Sequence, residues 1–262
     1  MPSWYFWVLA AAAGAAVGSF LNVCIYRWPA ERSVIRPPSS CPSCDTPIAW
    51  YDNVPVLSFL LLRGRCRRCG APISVQYPII ELATALIWLA AVLRFGPTIE
   101  ALHSAVFLTL LLGIAMTDVR EMVIPDQFSL GGLLLGLAFA AVPGGFVFLD
   151  ALLGAVLSFA LLWAVKLVAE KVVGRPALGV GDIHMMAMIG AFLGTGGALL
   201  TILLGSFLGL AIGVPVMWLR GRLTPLASYL PLGAFLAMGA AVAHAWGDAL
   251  LGWYMTSVLG LV

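Results

Sequence analysis

Apolar runs at residues 4–26, 78–94, 101–117, 127–143, 146–168, 183–197, 198–219 and 232–255 constrain this chain more than any other feature. A helix needs about 20 mostly apolar residues to cross roughly 30 Å of hydrocarbon, and most of the runs come near that length. Inside lipid every backbone amide and carbonyl must find a partner within the segment, so such runs form helices. Composition agrees, because 62% of the residues are hydrophobic and 10% are charged, where a soluble domain carries about 25% charged residues. The expected fold is an all-α polytopic membrane protein of about eight transmembrane helices, surrounded by lipid. A net charge of +2 gives no basis for a nucleic-acid partner.

Two kinds of connection alternate along the chain. Phe95-Gly96-Pro97, Pro143-Gly144-Gly145 and Gly194-Thr195-Gly196-Gly197 predict tight turns on one side. The others hold the positive charge: seven of the 14 Lys and Arg lie between Arg27 and Arg68, followed by Arg120, Lys171, Arg175, Arg220 and Arg222. The positive-inside rule places these connections in the cytoplasm and both termini outside, as a multi-pass membrane protein. No positive residue precedes the first run and its arginines follow it, so it reads as a retained helix and not a cleaved signal. Gly14 and Gly18, and Gly205, Gly209 and Gly213, recur every four residues and predict helices that approach closely.

The one extended polar segment, 29–77, contains Cys41-Pro42-Ser43-Cys44 and Cys66-Arg67-Arg68-Cys69, with 21 residues between the pairs. Two turns that each supply two thiolates can surround a tetrahedral ion, so Cys41, Cys44, Cys66 and Cys69 are expected to bind structural zinc, although the spacing also suits iron. A reducing cytoplasm disfavours disulfides. A closed four-sulfur site leaves no position for substrate, and its metal therefore folds the loop and performs no chemistry. The expected organisation is a first transmembrane helix at 1–28, a metal-stabilised cytoplasmic loop at 29–77, and a transmembrane core at 78–262. Cys24, inside the first run, reads as a small packing residue.

Two acids stand where lipid-compatible runs begin or end. Asp182 follows Gly179-Val180-Gly181, and Asp118 closes the run 101–117. Ionisable groups at a membrane boundary are costly and are usually kept for function. Asp182 also stands where it could N-cap the following helix, with Gly179 and Gly181 letting the backbone bend toward a peptide. Asp126, after Ile124-Pro125, reads as the cap of the next helix, and Asp118 as a solvated residue at a helix exit. Residue chemistry leaves open which of these acids partners Asp182. His103 and His244 read as packed polar residues without metal-like spacing.

Several stretches together resemble the type IV prepilin peptidases, membrane aspartyl proteases of the Gly-x-Gly-Asp class. They are Gly18-Ser19-Phe20-Leu21-Asn22-Val23-Cys24-Ile25-Tyr26-Arg27, both cysteine pairs, Ile48 to Ser58, Ile73 to Leu82, Asp118 through Ile124-Pro125-Asp126, and Gly179-Val180-Gly181-Asp182. A weaker echo occurs at Pro231-Leu232-Gly233-Ala234-Phe235-Leu236-Ala237. The resemblance implies that Asp118 and Asp182 are the catalytic pair and that Asp126 supports them. It implies as substrates the prepilins of type IV pili and the pseudopilins of type II secretion, each with a short basic leader ahead of an apolar helix. It further implies an N-methyltransferase using S-adenosylmethionine, associated with the cytoplasmic loop, which here includes Glu81. His184 stands where many relatives have Lys, and Leu232 and Ala234 where they often have Phe and Pro.

Paired acids suit the implied chemistry. Like charges resist double ionisation, so one carboxyl stays protonated while the other takes a proton from attacking water. The protonated member stabilises the oxyanion that forms. The competing class is a non-enzymatic membrane assembly factor or transporter with a zinc-folded docking loop, which would not need Asp118 and Asp182 to meet.

Overall fold

The computed structural model describes residues 3–142, 147–174, 178–219, 231–257 and 260. The expected turn at Pro143-Gly144-Gly145 and the basic residues Arg175, Arg220 and Arg222 lie outside the described residues. The chain divides into two compact units, Met1–Thr109 and Leu110–Val262.

In the first unit, α1 (Ser3–Arg27) packs against α3 (Gln76–Phe95). Their contact relies on absent side chains: a Cβ at Gly14 would lie 2.8 Å from Thr84 O, and one at Gly18 would lie 2.8 Å from Glu81 Cα. Buried Asn22 ties the pair by donating from Nδ2 to Gly18 O at 3.2 Å and to Tyr77 O at 3.1 Å. Between these helices run the cysteine segment and the short α2 (Leu57–Leu61). Gly96, with φ 70°, ends α3, and α4 (Ile99–Glu121) begins three residues later. Ala91, Ala101 and Ala105 form a core with Trp88, whose Nε1 donates to Thr109 Oγ1 at 3.1 Å. Cys24 is buried, as expected of a packing residue.

The second unit holds the end of α4, then α5 (Asp126–Ala140), α6 (Phe148–Val173) and α7 (Val180–Leu208). A π-helical stretch (Gly209–Gly213), α8 (Val214–Leu219) and α9 (Leu232–Ser257) follow. α6 and the first half of α7 touch backbone to backbone: a Cβ at Gly154 would lie 2.4 Å from Gly190 O. At Gly194, φ 68° and ψ −174° interrupt α7, and Asp150 secures the break by accepting the Thr195 amide at 3.2 Å. The second half of α7 runs against α9, with Gly196 beside Leu251, Gly247 beside Leu200 and Gly205 beside Leu236. Because Ile124 reaches both Gly181 and Gly233, the starts of α7 and α9 lie together. α7 therefore leaves that end, reverses at Gly194 and returns.

Among the described residues six helical stretches are long and apolar enough to cross a membrane, one of them the 37-residue Val180–Val216 that the break at Gly194 divides, and Asp126–Ala140 is shorter. Among the described residues each of the eight apolar runs is mainly helical: two share Val180–Val216, and one is the 15-residue α5. The boundary expected after residue 197 falls instead at Gly194, whose left-handed backbone permits the reversal. Leu134, Leu203 and Phe207 point outward at 66–70% exposure, as lipid-facing side chains do.

Candidate active site

Asp118 occupies the last turn of α4 and is 6% exposed, so it is not the solvated exit residue expected from its Arg120 and Glu121 neighbours. Its Oδ2 accepts the Ala234 amide at 2.9 Å, and the Gly233 amide also faces it. The first amides of a helix lack intrahelical partners and carry its positive dipole end, so the start of α9 is a natural seat for a carboxylate. The approach is close, since a Cβ at Gly233 would lie 2.6 Å from Ile124 Cδ1 and 3.0 Å from Asp118 Oδ2. Sequence reasoning assigned no role to this second strut. Its signal was the echo at Pro231 to Ala237, whose Gly233 and Ala234 supply the backbone and not a side chain.

Asp182 lies near the start of α7, partly buried, and is close enough to Asp118 for the two charges to act on each other. It is not the N-cap, a position held by Gly179; it stands at the third helical residue and accepts the Gly179 amide in return. The glycines serve proximity more than bending. A Cβ at Gly179 would lie 2.8 Å from Asp182 Oδ2, and one at Gly181 would lie 2.9 Å from Ile124 Cβ. Ile124 thus sits between the residue beside Asp182 and the residue that holds Asp118.

Asp126 also departs from the capping reading. Pro125 is the N-cap of α5 without a side-chain hydrogen bond, and Asp126, the first helical residue, points its Oδ1 to His184 Nδ1 at 2.9 Å. The His184 ring stacks on Phe159 of α6, with centroids 6.3 Å apart and planes at 11°. Lys166 of α6 donates to Leu178 O at 3.2 Å, just ahead of Gly179. His103 is buried in α4 and His244 is partly buried in α9.

In the first unit, the sulfur atoms of Cys41, Cys44, Cys66 and Cys69 all lie within 4.8 Å of one another, and Cys41 and Cys69 approach to 3.8 Å. Tetrahedral zinc–sulfur bonds of about 2.3 Å place ligand sulfurs about 3.8 Å apart, so the donor set fits the metal. The two turns are copies of each other at an offset of 25 residues. Cys41-x-x-Cys44-x-x-Pro47-Ile48 and Cys66-x-x-Cys69-x-x-Pro72-Ile73 share their bridges (Ser40 with Pro47, Arg65 with Pro72) and their amide bonds (Cys41 N to Thr46 O, Cys66 N to Ala71 O). This repeat is readable in the sequence once the residues after each pair are aligned, but the pairs alone hide it. Bonds to Thr46 lower the Cys44 thiol to about 6, and backbone amides of Cys69 and Arg68 lower that of Cys66, both of which favour the thiolate a metal needs. The Arg67 guanidinium beside Asp52, at 2.6 Å, holds its carboxyl below the usual range.

Glu81, 7% exposed on α3, accepts the Val56 amide on Oε2 at 2.7 Å. Val56 precedes α2 with φ 59°, a conformation that β-branched residues avoid, so Glu81 helps fix a strained corner of the loop.

A family model described as the type IV leader peptidase family matches residues 105–214, and one described as the bacterial peptidase A24 N-terminal domain matches residues 12–95. Among curated proteins, one named prepilin leader peptidase/N-methyltransferase from Myxococcus xanthus is 45% identical over 213 residues, 81% of this chain and 63% of that protein. The protein of that name from Aeromonas hydrophila is 35% identical over 98% of this chain and 96% of its own length. That of Pseudomonas putida is 36% identical over 93% and 92%. No solved structure is significantly similar.

Proposed function

The chain belongs to the type IV leader peptidase family, and we propose that within it Asp118 and Asp182 are the carboxyl pair that cleaves the leader. Its function is that of a prepilin leader peptidase/N-methyltransferase, an aspartic peptidase in a multi-pass membrane protein. This displaces the reading as a non-enzymatic assembly factor or transporter. The observation that carries the site is the convergence of the two acids at the starts of α7 and α9, with Asp118 buried and held by the Ala234 amide.

Two carboxyls this near each other share one proton. The ionised member draws a proton from water as the water attacks the scissile carbonyl, and the protonated member donates a hydrogen bond to the oxygen that gains charge. The α9 amides keep Asp118 oriented through the reaction, and the Gly179 amide does the same for Asp182. The substrates are prepilins or pseudopilins, whose apolar helix stays in lipid while the leader reaches the acids from the cytoplasmic side of the inner membrane.

Residues 29–77 form the metal-held loop, with zinc on Cys41, Cys44, Cys66 and Cys69 as a purely structural ion, and 78–262 carry the peptidase core. S-adenosylmethionine would be held by the first unit, where a cleft of about 300 Å³ is lined by Ser19, Ser39, Asn53 and Arg27. When bound, it supplies a methyl group for the newly exposed amino terminus.

The deciding assay reconstitutes wild type, Asp118→Asn and Asp182→Asn with a synthetic prepilin and S-adenosylmethionine, reading leader loss and methylation separately by mass spectrometry. Only wild type should cleave, and both variants should still methylate a supplied mature pilin. Normal cleavage by either folded variant removes that residue from the pair.

A further inference from the structure

Asp126 and His184 lie outside the reacting pair yet bind each other at 2.9 Å, joining the first residue of α5 to the first turns of α7. Each is a short chain distance from one catalytic acid. From Asp118 the chain runs through Ile124 and Pro125 to Asp126, and His184 is two residues beyond Asp182. The ring of connections therefore closes: Asp118, Ile124 against Gly181 and Gly233, Asp126, His184, Asp182 and back to Asp118.

We propose that the Asp126–His184 contact is a clamp that sets the separation of the two catalytic carboxylates, making both of them positioning residues for peptide cleavage. The proposal rests on the assignment of Asp118 and Asp182 made above. The Phe159 ring holds the imidazole flat, so that Nδ1 is aimed at Asp126 and the contact depends on few rotamers. On α6, Lys166 pairs with Glu170 at 3.2 Å and donates to Leu178 O ahead of α7. The Asp126 side chain is 63% exposed and that of His184 23%, and exposed pairs add little to folding stability. The clamp thus acts on the spacing of the acids more than on whether the protein folds. Catalysis is sensitive to spacing in a way that stability is not, since a misplacement of about 1 Å can cost about 100-fold in rate.

The test uses the full-length protein in lipid nanodiscs with a synthetic prepilin, comparing wild type, Asp126→Ala, His184→Ala, the double variant and His184→Lys. Each single variant should lower kcat by about 10- to 100-fold with KM within about twofold. The double variant should be no slower than the worse single one, because both break the same contact. His184→Lys should recover most of kcat, since an amine can still donate to Asp126. A peptide analogue bearing a tetrahedral hydroxyl should lose affinity in proportion to kcat/KM. If His184→Ala does not fold, Asp126→Ala at the exposed end of the contact decides alone. Wild-type kcat in the single variants, additive losses, or a change confined to KM overturns the clamp. Asp118→Asn and Asp182→Asn in the same assay separate the two readings: if either cleaves, the catalytic pair is wrong, and if neither does while Asp126→Ala runs at full rate, only the clamp is wrong.

Discussion

The cysteine loop and the helices of the second unit reach order by opposite means. The loop has little to bury: Trp50, Leu60 and Leu61 are largely exposed, and its definition comes from two matching turns that bring four thiols together. The helices need no such staple, because glycines let backbones abut at Gly154 with Gly190 and at Gly205 with Gly239. In lipid, where no hydrophobic force draws helices together, close packing of this kind is the main source of cohesion. One region should therefore fail when an ion is removed, the other when a methyl group is added.

The sharpest break of that contrast is chemical. Asp118→Asn or Asp182→Asn should lower cleavage by at least about 1,000-fold, measured by mass spectrometry, while thermal unfolding stays within error of wild type. Next in size is the loop: chelation, or Cys44→Ser, should expose 29–77 to limited proteolysis and leave the helical circular dichroism intact, with one zinc per chain lost by elemental analysis. Lower pH acts in the same direction, since protons compete with the metal for the thiolates. Gly154→Leu should destabilise the helices by about 3 kcal/mol in a detergent unfolding titration and leave the zinc content unchanged. Smallest is Asp52→Asn, which removes the charged partner of exposed Arg67 and should leave metal content and cleavage within about twofold of wild type.

How much of this could be read from the sequence depended on the range of the interaction. The eight apolar runs, the turn near Gly194 and the grouping of four cysteines are local or periodic, and each was legible. The seat of Asp118 was not, since its hydrogen-bond partner Ala234 lies 116 residues away and contributes only a backbone amide, which has no sequence signature of its own. Asp126 and Asp182 illustrate the same limit. Each has the residue type and place of an N-cap, yet Pro125 and Gly179 hold those positions, which leaves one acid free to meet His184 and the other to meet Asp118. Ile124 carries no polar group at all and was invisible as the spacer between the two sites.

The helices that begin at the acids are short. α5 has 15 residues, about 22 Å, and α7 runs about 21 Å from Val180 before reversing at Gly194. A typical hydrocarbon layer is about 30 Å thick. Lipid beside these helices must compress or leave their ends below the headgroups, at a modest elastic cost for each ångström of mismatch. Shorter acyl chains would relieve that deformation.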